Sequence, residues 1–421
     1  MLLTLALVAA ACGGSTTQSS TQSSADSDAQ SPTSEPTVAP APPLAVATTA
    51  PEPTTEPTPE PTPEPTAEPT PEPAPELELA GIGQYGVGVE TVIVNPDSDR
   101  PLTVEVWFPV ASDTVAEAGR YEFITGDFFE SELALAVGSD EIVDGTFPLV
   151  VYSHGSGGLR YIHSNYTEFL ASHGHVVVAP DHTGNTSVEQ FLNIEDDRDV
   201  IAFNRPTDVA NVIDAFTVAP IEATSGYAAA VDAERIAVTG HSFGGFTSYA
   251  AVAGYENPAG AAAADDRIKA IIPLAPAVGG SGPITLLDDD ALARVDVPSL
   301  IIVGTDDKTT PVDPNVDRAW DLTLSEPHYR VELVAAEHQS FTDVCDYLDA
   351  HAEGKQITDP VLQVLKEFGQ AGCAPGDMPI ERVQELTNTF ALAFLQSVFA
   401  DGEMIAPEAL SGTTDVIYDA K

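Results

Sequence analysis

Gly240-His241-Ser242-Phe243-Gly244 sets a serine between two glycines. A hydroxyl is a poor nucleophile until a base takes its proton. Downstream the chain supplies an acid and then a histidine, Asp307 and His338. Serine, acid and histidine in that order suit attack on an acyl carbon: the histidine takes the serine proton, and the acid fixes the tautomer of the ring. The tetrahedral intermediate of such an attack carries an oxyanion that needs two fixed N–H donors, worth roughly 3–4 kcal/mol apiece. Phe243 N–H, next to the serine, offers one. Ser153-His154-Gly155-Ser156-Gly157-Gly158 offers the other at Ser156 N–H.

Gly-x-Ser-x-Gly arises by chance in roughly one chain in ten of such composition, so the elements around it decide. Arg235 to Thr239 reads as a strand and Phe243 to Gly254 as a small, apolar helix. A turn between two such elements holds its serine in a strained conformation, with the positive end of the helix beneath the hydroxyl. Leu149-Val150-Val151-Tyr152 is the strand before the Ser153 loop. Pro298 to Val303 is the strand before Gly304-Thr305-Asp306-Asp307, where Asp307 is preferred to Asp306 on its placement in the loop. Tyr329 to Val334 is strand-like and ends just before His338.

Val176 to Ala179 and Ile268 to Leu274 add further β-branched runs, while Thr103 to Phe108 alternates with period two. Apolar runs without alternation imply strands covered on both faces, hence a parallel sheet. Helix-length stretches lie between them: Tyr161 to Ser172, Pro206 to Phe216 with its proline in the first turn, and Glu381 to Ala400. Repeated strand–helix units predict an α/β domain with a mostly parallel, doubly wound sheet over residues 77–421. Thr186 to Asn204, acidic and without clear periodicity, reads as a surface loop or a cap over the site.

Other chemistry is poorly supplied. His173, His175, Asp181 and His182 match no usual zinc spacing. Asp288-Asp289-Asp290 lacks the glycine turn and distal glutamate of a calcium loop. No metal or cofactor is expected. The formal charge of −49, from 16 Lys and Arg against 65 Asp and Glu, argues against nucleic acid and anionic membranes as partners. It suits a neutral or cationic small-molecule substrate, or simply solubility.

Residues 1–11 are a short apolar run, too short to span a bilayer and suited to a signal peptide. Val8-Ala9-Ala10-Ala11-Cys12 resembles a bacterial lipobox, which would make Cys12 a lipidated residue and the chain's one attachment to a membrane. Ordinary cleavage after Ala11 is the rival reading. Residues 12–76 are rich in Ser, Thr, Pro and Glu and cannot bury enough apolar surface to fold. Such a proline-rich tether extends by about 3.1 Å per residue. An exported compartment permits a bridge between Cys345 and Cys373; two free buried thiols are the alternative.

Taken with Leu170-Ala171-Ser172-His173-Gly174, Arg205-Pro206-Thr207-Asp208 and the Asp307 to Pro311 spacing, the Ser153 and Gly240 motifs resemble one known group. It comprises the bacterial relatives of plasma-type platelet-activating factor acetylhydrolase, near predicted dienelactone hydrolases, chlorophyllases and polyester hydrolases. The resemblance runs from about Leu102 to Phe341. It implies the α/β-hydrolase fold, Ser242, Asp307 and His338 as triad, Ser156 and Phe243 as oxyanion donors, and metal-free hydrolysis of short or oxidised acyl esters, phospholipid-type esters included. Dienelactone hydrolases proper carry Cys where Ser242 stands. Polyester hydrolases commonly carry Met and Trp where Phe243 and Ala277 stand here. A polyester hydrolase, a peptidase on the same triad and a non-catalytic binding protein on this scaffold are the competing readings.

Overall fold

Phe147–Ser153, Val176–Pro180 and Ser299–Gly304 are buried at every position. Strands of that kind satisfy their backbones only through neighbouring strands and their side chains only through covering layers. The computed structural model describes residues 77–421 except 124, 280–284, 401 and 411. The expected signal segment, Cys12 and the Pro-rich tether lie outside the described residues.

The strands are β1 (Gly86–Val94), β2 (Leu102–Val110), β3 (Ala118–Glu122), β4 (Phe128–Ala136), β5 (Phe147–Ser153), β6 (Val176–Pro180), β7 (Val231–His241), β8 (Tyr255–Asn257), β9 (Gly260–Ala262), β10 (Ile268–Leu274), β11 (Ser299–Gly304), β12 (His328–Leu333) and β13 (Val416–Ala420). The helices are α1 (Ser164–Ser172), α2 (Ser187–Leu192), α3 (Arg198–Phe216), α4 (Ser225–Ala230), α5 (Phe243–Ala253), α6 (Asp289–Leu292), α7 (Val312–Leu322), α8 (Val344–Ala352), α9 (Asp359–Phe368) and α10 (Ile380–Phe399). Among the described residues, one eleven-stranded sheet runs in the order β13-β12-β11-β10-β7-β5-β6-β2-β1-β4-β3. From β12 to β6 every neighbouring pair is parallel. Antiparallel pairs flank that block, β12 with β13 on one side and β6 with β2, then β2 with β1, on the other. Helix α5 packs on β7 and β10 and against α3, while α1 packs on β2 and β6 and against α10. This is the α/β-hydrolase arrangement.

Two expectations are corrected. Pro206 does not open its helix: α3 begins at Arg198 and carries the proline inside it. A proline removes one backbone donor. Burial of Ile201, Ala202 and Arg205 on the near side and of Asp208, Val209 and Val212 beyond holds the helix together through it. Residues 186–204, read as a surface loop or cap, hold helix α2 and the start of α3, with residues 193–197 between them. Thr186 caps α2 in a reciprocal box with Glu189, and Asn193, with φ 55°, ends it. The signature Thr-x-x-Glu was present in the sequence.

Cys345 and Cys373 form a disulfide with Cα atoms 5.5 Å apart. Among the described residues no helix is long and apolar enough to cross a membrane.

Candidate active site

Ser242 stands between β7 and α5 with φ 57° and ψ −114°. A positive φ is costly for a residue with a Cβ and persists only where neighbours over-determine it. Three main-chain bonds do so here: Ser242 N–H donates to Leu274 O at 2.9 Å, and Ser242 O accepts from Ala277 N–H at 3.0 Å and Phe246 N–H at 3.2 Å. The turn also needs the loop after β5 to come very close. A Cβ on Gly244 would fall 1.8 Å from Ser153 O, which excludes any side chain there. Ser242 is the N-cap of α5, yet its hydroxyl makes no capping bond and is not spent on the helix.

His338 opens a short 3-10 turn, His338–Phe341, after β12 and is buried. Its Nδ1 donates to Asp307 Oδ2 at 2.7 Å. Asp307 is fixed in turn by the backbone N–H groups of Thr309 at 2.8 Å and Thr310 at 2.7 Å, and by the Thr310 hydroxyl at 2.8 Å. Burial acts to raise the Asp307 pKa, but the His338 hydrogen bond and charge and the Thr310 donors outweigh it and hold the carboxyl below its ordinary value. Asp306 is exposed and turns to the Thr305 hydroxyl instead.

The residue before Ser242 ties the two halves together. His241 Nε2 donates to His338 O at 2.8 Å, and the two rings lie 4.5 Å apart. Asp307 and His338 are thus in direct contact, and His338 sits against the Ser242 turn. The bonds of the His338 ring go to Asp307 and Thr310; none reaches the Ser242 hydroxyl in this conformation. Catalytic hydrogen bonds of this kind commonly close only around a substrate.

The Ser153 loop lies directly on the turn. A Cβ on Gly155 would stand 3.4 Å from Ser242 Cβ and 3.2 Å from His241 Nδ1. Ser156 is exposed, and its hydroxyl accepts from Asn185 Nδ2 at 3.1 Å. Phe243 is the first residue of α5, so its N–H has no acceptor within the helix. Behind the loop is a polar cluster that sequence reasoning missed. Arg205 is fully buried and donates to His154 O, Gly155 O, Ser153 Oγ and Asn185 Oδ1. Ser153 Oγ lies 2.8 Å from His182 Nε2, and His182 Nδ1 donates to Asp208 Oδ2 at 2.9 Å. Arg100 forks onto both oxygens of Asp208. Ser153, His182 and Asp208 copy the bonding of a triad but are completely buried, so they serve as framework. Arg205 and Asp208 stood in the Arg-Pro-Thr-Asp segment, but nothing local assigns such residues to a loop 50 positions away.

Helix α2 forms one rim of this site. Ser187 N–H donates to Gly158 O at 3.0 Å and Gly157 N–H to Asn185 O at 3.3 Å. Just beyond, Phe191, Leu192 and Ile194 are 44%, 51% and 62% exposed. Among the described residues no group of three or more His, Cys, Asp or Glu side chains is arranged to hold a metal ion. His175 is buried, with its Nδ1 donating to Leu170 O.

A family model described as chlorophyllase matches residues 134–290. That span holds the Ser153 loop, Arg205 and the Ser242 turn, and stops before Asp307 and His338. A solved structure, a ferulic acid esterase from Streptomyces cinnamoneus, is similar over 81% of this chain and 98% of that one, with a TM-score of 0.58 and 20% identity. At that identity the likeness is one of fold.

Proposed function

We propose that the chain is a serine hydrolase that cleaves carboxylic esters through an acyl-serine intermediate. The observation that carries this reading is Ser242 itself: a serine held at φ 57° with its hydroxyl uncommitted, beside a histidine that already holds an aspartate at 2.7 Å. Backbone strain of this kind clusters at active sites, and the hydroxyl it presents has no structural use. The chlorophyllase family model and the fold of the ferulic acid esterase support ester hydrolysis as the reaction class.

In this reaction Ser242 Oγ attacks the ester carbonyl carbon while His338 takes its proton. The C=O electrons move onto the oxygen, and the N–H groups of Phe243 and Ser156 donate hydrogen bonds to the oxyanion so formed. Collapse expels the alcohol, which leaves with the proton from His338. Water then attacks the acyl-serine with His338 as base and releases the carboxylic acid. Asp307, ionised throughout, keeps the His338 proton on Nδ1 and offsets the imidazolium.

The rim and the charge support one substrate class. Phe191, Leu192 and Ile194 give an apolar surface beside the oxyanion loop, and the net charge of −49 disfavours anionic ligands. Neutral or zwitterionic esters of short or oxidised acyl chains, phospholipid-type esters among them, fit both. The Cys345–Cys373 bridge supports an exported location, with Cys12 as the proposed lipid anchor.

The test is Ser242→Ala, assayed on p-nitrophenyl esters of graded chain length, an acetylated lysophospholipid, a polyester film and peptides. Loss of all ester hydrolysis, and of fluorophosphonate labelling, is expected. Activity retained in the variant ends the proposal, and an unlabelled, inactive parent protein points to a binding role instead.

A further inference from the structure

We infer that Arg205, with Asn185, is the positioning device for both oxyanion donors; this rests on the serine-hydrolase reading above.

The inference begins with what one buried side chain touches. Five hydrogen bonds leave the Arg205 guanidinium: Nη1 to His154 O at 2.6 Å and to Ser153 Oγ at 3.3 Å, Nη2 to Gly155 O at 3.0 Å and to Asn185 Oδ1 at 2.6 Å, and Nε to Asn185 Oδ1 at 3.1 Å. That uses all five donors of the group. None goes to a carboxylate. Asp208, the nearby acid, gives its oxygens to Arg100 and His182. A cation placed this way is costly to bury if stability is its only purpose.

Peptide geometry turns those bonds into an orientation. In a trans peptide the C=O and the following N–H point in opposite directions. The described cis bonds lie elsewhere, before Pro314 and Pro327. Drawing Gly155 O toward Arg205 therefore drives Ser156 N–H away from it, out of the protein interior. Drawing His154 O inward does the same for Gly155 N–H. Gly155 O also accepts from His154 Nδ1 at 2.7 Å and from Gly158 N–H at 3.1 Å, so the peptide cannot flip without losing three bonds, that of Arg205 among them. Since Gly155 packs against Ser242, the freed N–H groups belong to the face where the oxyanion forms.

The residue that carries the second donor touches the same group. The Arg205 guanidinium lies over the Phe243 ring, 5.0 Å from its centroid. Asn185 completes the clamp: its carbonyl oxygen accepts twice from Arg205, and its amide reaches the Ser156 hydroxyl. One rigid fork on α3 thus sets residues 155, 156 and 243 relative to one another before any substrate arrives. A lysine has a single point of charge and cannot reproduce it.

The experiment compares Arg205→Met, Arg205→Lys and Asn185→Ala with the parent and with Ser242→Ala. The measurements are kcat and KM on p-nitrophenyl acetate, the affinity for an alkyl trifluoromethyl ketone, and the pKa of the resulting hemiketal oxyanion by NMR. For both Arg205 variants kcat is expected to fall on the order of 100-fold, with KM within about threefold. Ketone affinity should fall in parallel and the hemiketal pKa should rise, a change that loss of packing alone does not cause. Arg205→Lys keeps the buried charge, which keeps the variant foldable where Met is not tolerated, and Asn185→Ala should show the same pattern at about tenfold. Folded variants whose kcat, ketone affinity and hemiketal pKa match the parent overturn the inference. Activity surviving in Ser242→Ala overturns the serine reading instead, a separate outcome.

Discussion

His338 Nδ1 and Asp307 Oδ2 are 2.7 Å apart, and the Thr310 hydroxyl, bonded to the same oxygen, sits 3.1 Å from that nitrogen. The ring therefore has one preferred tautomer, with Nδ1 protonated and Nε2 left to exchange protons.

Asp307→Asn tests that arrangement. The amide can present its NH2 to Nδ1 and reverse the tautomer while leaving the volume unchanged. A fall in kcat on the order of 10³-fold or more is expected, with KM little altered. Steady-state kinetics with a melting curve as control measures it. A variant within about tenfold of the parent removes Asp307 from the mechanism.

Glu168 gives a prediction on pH. It is buried in α1 and accepts from the Tyr121 hydroxyl. Burial raises its pKa from 4.5 to about 7. In the unfolded chain it ionises near the ordinary value, while in the fold it stays protonated up to about 7. The unfolded state thus binds fewer protons between those values, and stability falls as pH rises across that window. Glu168→Gln keeps an acceptor for Tyr121 and removes the titration. Relative to the parent, the variant should gain about 1.4 kcal/mol per pH unit across the window and level off above it. Denaturant unfolding from pH 4 to 8 measures the difference, and a pH-independent difference refutes it.

The disulfide closes a loop of sequence separation 28. In the chain-entropy model such a loop contributes about 3–4 kcal/mol. Gly372, next to Cys373, gives its carbonyl to the Ser340 hydroxyl in the turn that begins with His338. Replacing both cysteines by Ala should lower stability by about that amount and weaken activity through a looser His338 turn. Calorimetry and kcat on the double variant, with and without reductant for the parent, provide the check.

The rim formed by α2 and the residues just after it should govern the apolar part of the substrate. Changing Phe191, Leu192 and Ile194 to Ser removes exposed side chains only, so stability should shift by less than about 0.5 kcal/mol each. KM should rise about tenfold for longer or bulkier esters and stay near the parent value for acetate. Equal effects across the ester series would mean that the rim does not read the acyl chain.

The catalytic candidates were legible because each is marked locally. Ser242 lies in a pattern whose glycines are demanded by the close approach of Ser153 O, Asp307 follows the continuous apolar run of β11, and His338 follows the strand-like segment of β12. Short-range rules of periodicity and turn chemistry suffice for such features. The parallel block from β6 to β12 was readable for the same reason. The outer strands were less so: β4 and β13 are half-exposed or exposed along most of their length, and neither carries a continuous apolar signal.

The tertiary structure alone decided what surrounds those residues. Arg205 serves residues 153 to 155 and ring 243, His241 holds the carbonyl of His338, and Asn185 reaches Ser156. Each contact joins positions far apart in the chain, and nothing in local propensity favours one distant partner over another. They form because a buried donor or acceptor must find a partner within the packed interior, and which partner stands there depends on how the whole sheet and its helices stack. The sequence determined which groups can react; the packing determined what holds them in place.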